Sequence, residues 1–401
     1  MKTYFTEQTP LTICMWDFSW LMSGHPGGAY ADLEGCVAGA VERGYNTLRV
    51  DVFPNLYGRG EHTFPGKATR PRVHSWGAVL TPDGHTVDVR REVIRLADLC
   101  RKHGLRLALD TWQSGAIIGE AGRAPLGREE EWTRRIADAW TSVIPAMRDD
   151  GVLERAAWLA PLNEVPLFLG QKLERVVVSD PEDRHEGMTQ WKSDQPELDE
   201  IFMEINTWLG ESIKPLIEKD NIPLAYSALG AENYARRTPD FYDLVDVHFM
   251  PDMLLRPEDA EALEKAGDGA SKFTLHPKQN AFDLALFSAA WNRACQANYS
   301  RMLDLCHDYA RNVMDNLTHA SGKRFEAVVT EAYGPCNHPD HPEVDWTWYY
   351  RYNADAARIF SNYDFSGLTV SNHAEPLFTA WEEIQWQLRT NQYVLAASPG
   401  A

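Results

Sequence analysis

The sequence predicts an α/β protein built as a single (β/α)8 barrel over residues 1–401. Three observations lead to this prediction. Short β-rich runs alternate with longer helical patterns, the strand–helix unit repeats eight times, and no linker or change of composition divides the chain. Eight parallel strands joined by helical crossovers are typical of this barrel. A doubly wound open sheet is the structural alternative, but no GxGxxG motif follows the first strand.

The strands and helices are predicted from the periodicity of the apolar residues. Several helical stretches end in glycine, as at Gly44 and Gly104, where this residue supplies a left-handed cap. The predicted strands are Leu11–Trp16, Thr47–Val52, Leu105–Asp110, Trp158–Leu162, Pro223–Ala228, Leu244–Phe249, Ala327–Glu331 and Gly367–Ser371. The predicted helices are Leu33–Arg43, Arg90–His103, Glu130–Arg148, Leu198–Glu218, Leu284–Thr318, Trp346–Phe360 and Leu377–Leu388.

The residues in excess of the eight strand–helix units lie mainly in three long loops, which follow strands two, four and six. They are Pro54–His85, Phe168–Pro196 and Pro251–Asn280. Because each follows a strand, all three are expected at the carboxyl-terminal face of the barrel, where long ordered loops usually shape a binding site. A surface insertion without such a role is the alternative for any one of them.

The composition excludes two classes of partner and favours a third. A net charge of −19 argues against nucleic acid and against an anionic membrane, and it favours a neutral or cationic substrate. The chain contains 14 Trp and 15 Tyr, whose flat faces stack on sugar rings, so a carbohydrate ligand is favoured. No run of about 18 apolar residues is present, and no membrane span is predicted.

The amino terminus and the cysteines predict a cytoplasmic protein. Residues 1–8 contain no apolar segment of the kind found in secretory signals. Scattered cysteines without a CxxC motif are then most simply reduced thiols, although a chain whose signal had been removed would look the same. The sequence gives no indication of the oligomeric state. The six cysteines are Cys14, Cys36, Cys100, Cys295, Cys306 and Cys336.

Two glutamates at strand ends are the candidate catalytic residues. Glu164 closes the apolar run Ala156–Leu162 together with Asn163, and Glu331 closes the run Phe325–Thr330. In a parallel barrel the carboxyl ends of all strands open onto the face that carries the chemistry. Two carboxyl groups brought together there are the minimum that glycoside hydrolysis requires. The alternative is that each glutamate only ends a strand and faces solvent.

Over nearly its whole length the chain resembles the clan A glycoside hydrolases, the cellulase-like retaining enzymes on a (β/α)8 barrel. The resemblance rests on Asn163 and Glu164 after strand four, Glu331 after strand seven, Arg49 in strand two and His248 in strand six. It implies that Glu164 is the acid/base and Glu331 the nucleophile. It also implies that Asn163 donates to the sugar 2-hydroxyl, with a cap of the following loop as the alternative role.

The physical chemistry of these residues fits the implied roles. A retaining enzyme needs two carboxyl groups about 5 Å apart, one protonated and one ionised. Glu164 must hold a proton, which apolar or anionic surroundings favour. Arg49 on a neighbouring strand would lower the pKa of Glu331 and fix its orientation. The alternative for Arg49 is a salt bridge to Asp51 or Asp17 without catalytic meaning.

The sequence departs from the clan pattern at three strand ends. Strand six carries His248 without the usual His-x-Tyr, so Tyr333 is a candidate for the missing hydroxyl and a structural role for His248 stays open. Strand three ends near Trp112, where many relatives carry histidine. Strand eight ends near Asn372 rather than at a tryptophan, and Trp16, Trp112 or Trp381 is expected to replace that ring, with a place in the core as the alternative for Trp381. The predicted substrate-binding residues are Trp16, Asp17, Arg49, Trp112, Asn163, His248, Tyr333 and Asn372.

Together these residues predict a retaining β-glycosidase that acts on a small glycoside or oligosaccharide, with no metal and no cofactor. Two alternatives stay open. One is a metal-dependent barrel enzyme that uses His248, His338 and His341, since histidines close in sequence with acidic neighbours occur in zinc sites. The other is a barrel that binds carbohydrate without catalysis, which is favoured if Glu164 and Glu331 lie far apart.

Overall fold

The fold is a barrel of eight parallel strands with surrounding helices, which confirms the predicted fold class. It is seen in a computed structural model, which describes residues 4–5, 10–64, 85–112, 126–165, 196–229, 233–250, 258, 284–333, 340 and 344–397. The strands are β1 Leu11–Asp17, β2 Thr47–Asp51, β3 Glu61–Phe64, β4 His85–Asp88, β5 Arg106–Asp110, β6 Ala156–Leu159, β7 Ala225–Leu229, β8 Leu244–Phe249, β9 Glu326–Ala332 and β10 Gly367–Thr369.

The barrel is nearly closed. Along the sheet its strands follow the order β6-β5-β2-β1-β10-β9-β8-β7, and neighbouring strands are parallel. A bridge between Leu159 and Leu224 joins the two edges, where the Leu159 N–H donates to the Pro223 carbonyl at 3.0 Å. The carboxyl ends of all eight strands therefore point to one end of the molecule.

Helices lie between the barrel strands along the chain. They are α1 Ser19–Met22, α2 Leu33–Glu42, α3 Val89–His103, α4 Glu129–Asp149, α5 Pro196–Gly210, α6 Lys214–Ile217, α7 Tyr234–Arg237, α8 Leu284–Asp315, α9 Thr347–Phe360 and α10 Ile384–Ala396. The predicted helix Leu198–Glu218 is split into α5 and α6. Gly210 lies against Tyr242 with no room for a side chain, and Pro215 lacks the N–H that a continuous helix needs.

Other element boundaries also differ from the prediction by several residues, and two of them have a local cause. Strand β6 ends at Leu159 rather than at Leu162, because Pro161 cannot donate a backbone N–H to a neighbouring strand. The last helix begins at Ile384 rather than at Leu377. The residue Phe378 is extended, with φ −107° and ψ 150°, and a short 3-10 turn follows it.

The barrel interior is a packed core, and it supports the end of the barrel where the site lies. Trp158 belongs to the same buried cluster as Ala108, Ala160 and Ala225. The Trp158 ring, these small side chains and the aliphatic residues of the same cluster together fill the barrel interior at high packing density. A second and larger apolar cluster includes strand residues and residues of the surrounding helices. Side chains at the strand ends therefore start from a rigid support.

The predicted loop after β2 contains a strand pair that the sequence did not predict, since β3 and β4 pair antiparallel. Residues 65–84 of this loop lie outside the described residues, as do almost all of Phe168–Pro196 and Pro251–Asn280. The placement of the three long loops around the site stays a prediction. In the described part of the chain, no helix combines the length and the apolar character that a membrane crossing requires.

Candidate active site

Five polar side chains meet at the carboxyl-terminal end of the barrel. They are Arg49 in β2, Asn163 and Glu164 after β6, His248 in β8 and Glu331 in β9. The register between β8 and β9 shifts after Val247, so that His248 lies opposite Glu331. The structure therefore brings together five of the residues that the sequence indicated.

Arg49 lies at the centre of this cluster and is fully buried. Its Nη1 lies 2.7 Å from Glu331 Oε1, and its Nη2 lies 2.7 Å from Asp110 Oδ2 and 3.2 Å from Asp246 Oδ2. Nη2 also donates to Asn163 Oδ1. Burial opposes the charge, but the three carboxylates raise the pKa of Arg49 above its usual value. The guanidinium thus stays charged and fixes the orientation of the carboxyl and amide groups around it.

The ionisation of Glu331 depends on neighbouring cations. Glu331 is 9% exposed, and burial raises the pKa of its carboxyl above the usual value. His248 and Arg49 act in the opposite direction, whereas the nearby Glu164 adds to the increase. An ionised Glu331 is therefore stabilised here by two cations and opposed by one carboxyl group.

His248 is the second cation, and it contacts both glutamates. Its Nδ1 lies 2.8 Å from Glu164 Oε1 and 3.7 Å from Glu331 Oε2. Its Nε2 lies 3.7 Å from Asp246 Oδ2. Burial alone would lower the pKa of His248, but Glu331, Asp246 and Glu164 raise it to about 10. The ring is therefore an imidazolium at neutral pH.

The two candidate catalytic carboxyl groups lie close together. One oxygen of Glu164, one oxygen of Glu331 and one nitrogen of His248 all lie within 4.8 Å of one another, which agrees with the predicted separation of about 5 Å. Glu164 has a positive φ of 46°, which is uncommon for a residue other than glycine. Its N–H donates to Ser227 Oγ at 3.0 Å, so a hydrogen bond supports this backbone conformation.

Asn163 is oriented by two donors. Its Oδ1 accepts from Arg49 Nη2 and from Ser227 Oγ, the latter at 3.1 Å. Both lone pairs of the side-chain oxygen are then in use, and the amide nitrogen is the atom that can donate to a ligand. These two contacts take the place of the loop cap that was the alternative role for this residue.

Trp112 is partly exposed, and its ring lies over Arg49. The Arg49 Cζ is 4.6 Å from the ring centroid. The Trp112 N–H donates at 2.9 Å to Asp51, which also accepts from the Phe53 N–H at 2.7 Å. Burial raises the pKa of Asp51 to about 7 despite these bonds. Asp51 therefore holds the backbone that carries Trp112, and the alternative salt bridge from Arg49 to Asp51 is not formed.

The prediction that Trp16 and Asp17 contact substrate is wrong for this structure. Every residue of β1 is buried, and both side chains are 0% exposed. Trp16 packs edge-to-face against Tyr30 with ring centroids 5.1 Å apart, and Asp17 Oδ1 accepts from the Ser19 N–H. The alternative salt bridge from Arg49 to Asp17 is also not formed. These residues belong to the interior behind the site.

Tyr333 does not supply a hydroxyl to the site. Strand β9 ends at Ala332, so the alternation of side chains no longer applies, and the Tyr333 ring lies 5.0 Å from that of Phe360 in α9. Its hydroxyl is buried without a hydrogen-bond partner. Asn372 follows β10 and is also buried, with its side-chain oxygen 3.2 Å from His373 Nδ1 and no hydrogen bond to the five-residue cluster.

One group of three side chains in the described ranges has the spacing that a metal ion needs, namely Glu164, His248 and Glu331. In this group His248 Nδ1 and Glu164 Oε1 are already within hydrogen-bond distance, and a metal ion would have to replace that bond. His338 and His341, on which the predicted metal alternative depended, lie outside the described residues.

The residues that hold Arg49 and His248 in place were not among the predicted site residues. Asp110 binds Arg49, and Thr330 Oγ1 donates to Asp246 at 2.6 Å and lies 3.3 Å from His248 Nε2. The available signal was the presence of polar residues inside runs that are otherwise apolar. Asp246 and His248 are two residues apart, so they share a face of β8.

The fold is shared with known glycoside hydrolases. A glycoside hydrolase candidate from Parabacteroides distasonis has a TM-score of 0.71 at 19% identity, over 97% of this chain and 94% of that chain. A variant of a family 5 mannosidase from Rhizomucor miehei has a TM-score of 0.50 at 13% identity, over 98% and 94%. A broad-specificity family 5 endoglucanase from Clostridium cellulovorans also has a TM-score of 0.50, at 10% identity over 96% and 95%.

The sequence itself assigns the family. No curated protein matches the chain in sequence. The profile of the family described as sugar-binding cellulase-like, however, matches residues 13–395, which is nearly the whole chain. This match and the shared fold confirm the predicted resemblance to the clan A glycoside hydrolases. The chain belongs to the sugar-binding cellulase-like family.

Proposed function

We propose that this protein is a retaining β-glycosidase that hydrolyses a small glycoside or oligosaccharide. The observation that carries the proposal is the pairing of Glu164 and Glu331 within 4.8 Å, with His248 on one and Arg49 on the other. Retaining enzymes hold their carboxyl groups about 5–5.5 Å apart, whereas inverting enzymes leave about 6.5–9.5 Å for a water molecule. The separation supports double displacement over inversion.

In the first step Glu331 attacks the anomeric carbon, forming a glycosyl ester while the bond to the leaving oxygen breaks. Arg49 Nη1 holds Glu331 Oε1 at 2.7 Å, so Oε2 is the oxygen that can attack. Glu164 gives a proton to the leaving oxygen. In the second step Glu164 takes a proton from water, and this water hydrolyses the ester and restores Glu331.

His248 supplies the proton that acid catalysis requires. The His248 ring is an imidazolium, and its Nδ1 lies 2.8 Å from Glu164 Oε1. The ring therefore carries a proton that can pass to Glu164 as negative charge develops on the leaving oxygen. Glu164 and His248 therefore act together as the acid/base unit.

The substrate is proposed from the groups that remain available to it. The Asn163 amide nitrogen fits a donor to the 2-hydroxyl, a contact that strengthens in the transition state. Trp112 offers a partly exposed ring beside the cluster. The net charge of −19 favours a neutral or cationic sugar over an acidic one. A short glycoside that places one sugar over this cluster fits these features.

Azide rescue of two single variants tests the proposal. In Glu331→Ala turnover should be lost, and azide in the vacated space should form the α-glycosyl azide. Glu164→Ala should still cleave activated aryl glycosides, because a good leaving group needs no proton, and the intermediate should accumulate without a base. Azide, which needs no base, should then form the β-glycosyl azide. Glu326→Gln, at the other end of β9, serves as the control.

Reversed azide products would show that the two roles are exchanged. Wild-type rates in both variants would show that these carboxyl groups only end their strands. The metal-dependent alternative is tested separately, because a chelator should leave the wild-type rate unchanged if the two carboxyl groups act without a metal ion. A barrel that only binds carbohydrate would hydrolyse none of a panel of nitrophenyl glycosides while still binding sugar.

A further inference from the structure

A second pair of carboxyl groups lies in the barrel and takes no part in the proposed reaction. Asp17 ends β1, Glu375 lies in the segment after β10, and both are 0% exposed. Asp17 Oδ1 accepts a hydrogen bond from the Ser19 N–H. Glu375 Oε2 accepts one from the Tyr30 hydroxyl at 2.5 Å. Each carboxyl group is therefore held through one oxygen only.

The other oxygen of each group has no partner. Asp17 Oδ2 and Glu375 Oε1 are both buried and form no hydrogen bond. In the described ranges, neither carboxyl group forms an ion pair with a lysine, arginine or histidine. A buried ionised carboxylate without a cation or a full set of donors costs far more free energy than a neutral carboxyl group.

The largest charge interactions on this pair come from acidic groups. Glu331 acts on both carboxyl groups, and Asp17 acts on Glu375. Arg43, which acts on the neighbouring Cys14, donates to the Trp381 carbonyl and lies over the Trp381 ring. Burial first, and then these acidic neighbours, raise the pKa of both carboxyl groups well above the usual range. The groups facing the pair are Cys14, Ser19, Tyr30, Asp51 and Glu331.

We propose that Asp17 and Glu375 are neutral carboxylic acids at neutral pH. As positioning residues they fill the space near Glu331 without adding negative charge to it. Two further charges near Glu331 would oppose its ionisation, because like charges in a site of low dielectric favour protonation of each other. The neutral acids still receive the hydrogen bonds from Ser19 and Tyr30. The proposal rests on the proposed function for the role of Glu331 as nucleophile.

Amide substitutions test the charge state of Asp17 and Glu375 through its effect on the ionisation of Glu331. Asp17→Asn and Glu375→Gln imitate a neutral acid of the same shape. Each variant should keep the acidic limb of the kcat/KM profile within about 0.3 pH unit of wild type, and kcat/KM at neutral pH within about threefold. If the carboxyl groups are ionised instead, each amide removes a negative charge near Glu331. The limb would then move down by about one pH unit, which overturns the proposal.

Two measurements test the charge state without turnover. The infrared carbonyl stretch of a protonated carboxyl group should be present in the wild type at neutral pH and weaker in each amide variant. Above about pH 6 the Tm of the wild type should fall as pH rises toward the raised pKa of the two carboxyl groups, because the folded protein still holds protons that the unfolded chain has released. Each amide variant should show a shallower fall.

A matched control is Asp150→Asn. Asp150 is an ion-paired carboxyl group, 2.8 Å from Arg90, with a pKa below the usual value. Its replacement should leave the alkaline slope of Tm unchanged. An alkaline slope that is identical in the wild type and both amide variants, or an unchanged infrared band, overturns the proposal. Protonated carboxyl groups in a protein that hydrolyses no glycoside would refute the proposed function alone.

Discussion

Two pairs of carboxyl groups in one barrel differ in the feature that decides their charge. Glu164 and Glu331 have cationic side chains at 2.8 and 2.7 Å. Asp17 and Glu375 receive hydrogen bonds from neutral donors only. All four belong to the same type of side chain, and burial raises the pKa of Glu331 as it does that of Asp17 and Glu375. Neighbouring cations therefore act against the effect of burial in the catalytic pair, whereas the opposing contacts at Asp17 and Glu375 are hydrogen bonds from Ser19 and Tyr30.

The two aspartates on Arg49 repeat this contrast on a smaller scale. Burial raises the pKa of Asp110 to about 8, even though it contacts Arg49. Burial also opposes ionisation of Asp246, but Arg49 and His248 together lower the pKa of that residue below its usual value. Between these two aspartates, contact with one cation leaves the pKa above the usual value, whereas two cations lower it below that value.

The largest expected effect is on kcat, when one glutamate of each pair is replaced by glutamine. Glu331→Gln removes the attacking oxygen, so kcat should fall by at least about a thousandfold. Glu375→Gln replaces one neutral group with another and should change kcat by no more than about threefold. Steady-state kinetics on one aryl glycoside measures both. Equal losses in the two variants would contradict the contrast between the pairs.

Removal of the cation shared by three carboxyl groups should produce the largest change in stability. Arg49→Met leaves Glu331, Asp110 and Asp246 without their common partner, and the free energy of unfolding should fall by about 3–5 kcal/mol. Urea unfolding at neutral pH measures this. Arg49→Lys, which keeps a charge but loses the planar fork, should cost less. A loss below about 1 kcal/mol for Arg49→Met would show that the carboxyl groups are already protonated.

A smaller effect is expected on the alkaline limb of activity. The pKa of His248 is raised to about 10, so the proton on the Glu164–His248 unit, and its contribution to stability, are lost only as pH rises through this value. In His248→Gln the alkaline limb of kcat/KM should move down by at least about one pH unit for a poor leaving group. An activated aryl glycoside is the control, since its departure needs no proton. The same shift with both substrates would argue against proton supply by His248.

The fold was predictable because it depends on patterns that are local in sequence. Alternating strand and helix periods indicated the barrel, and polar residues at strand ends indicated Glu164 and Glu331, whereas Arg49 and His248 came from the resemblance to the clan A glycoside hydrolases. The boundaries failed where single residues overrode the pattern. Pro161 and Pro215 are examples, since neither has a backbone N–H to donate.

Local sequence patterns could not predict the second pair of carboxyl groups, Asp17 and Glu375. Glu375 contacts Tyr30 across 345 positions of sequence, and no spacing rule connects such residues. Asp17 was expected to meet substrate because it ends a strand, but β1 is buried along its whole length. Tyr333 lies beyond the end of β9 and packs on Phe360 instead. Tertiary packing decided all of these positions.

The smallest effect tests which aromatic ring touches the substrate. Trp112 is partly exposed over Arg49, whereas Trp16 is buried against Tyr30. Trp112→Ala should raise KM about tenfold, the equivalent of about 1.4 kcal/mol of lost contact, with a smaller change in kcat. Trp16→Phe, the control, should lower Tm and leave KM unchanged. If Trp112→Ala lowers kcat at constant KM, the ring acts through the guanidinium of Arg49, because a lost sugar contact would weaken binding of the substrate as well.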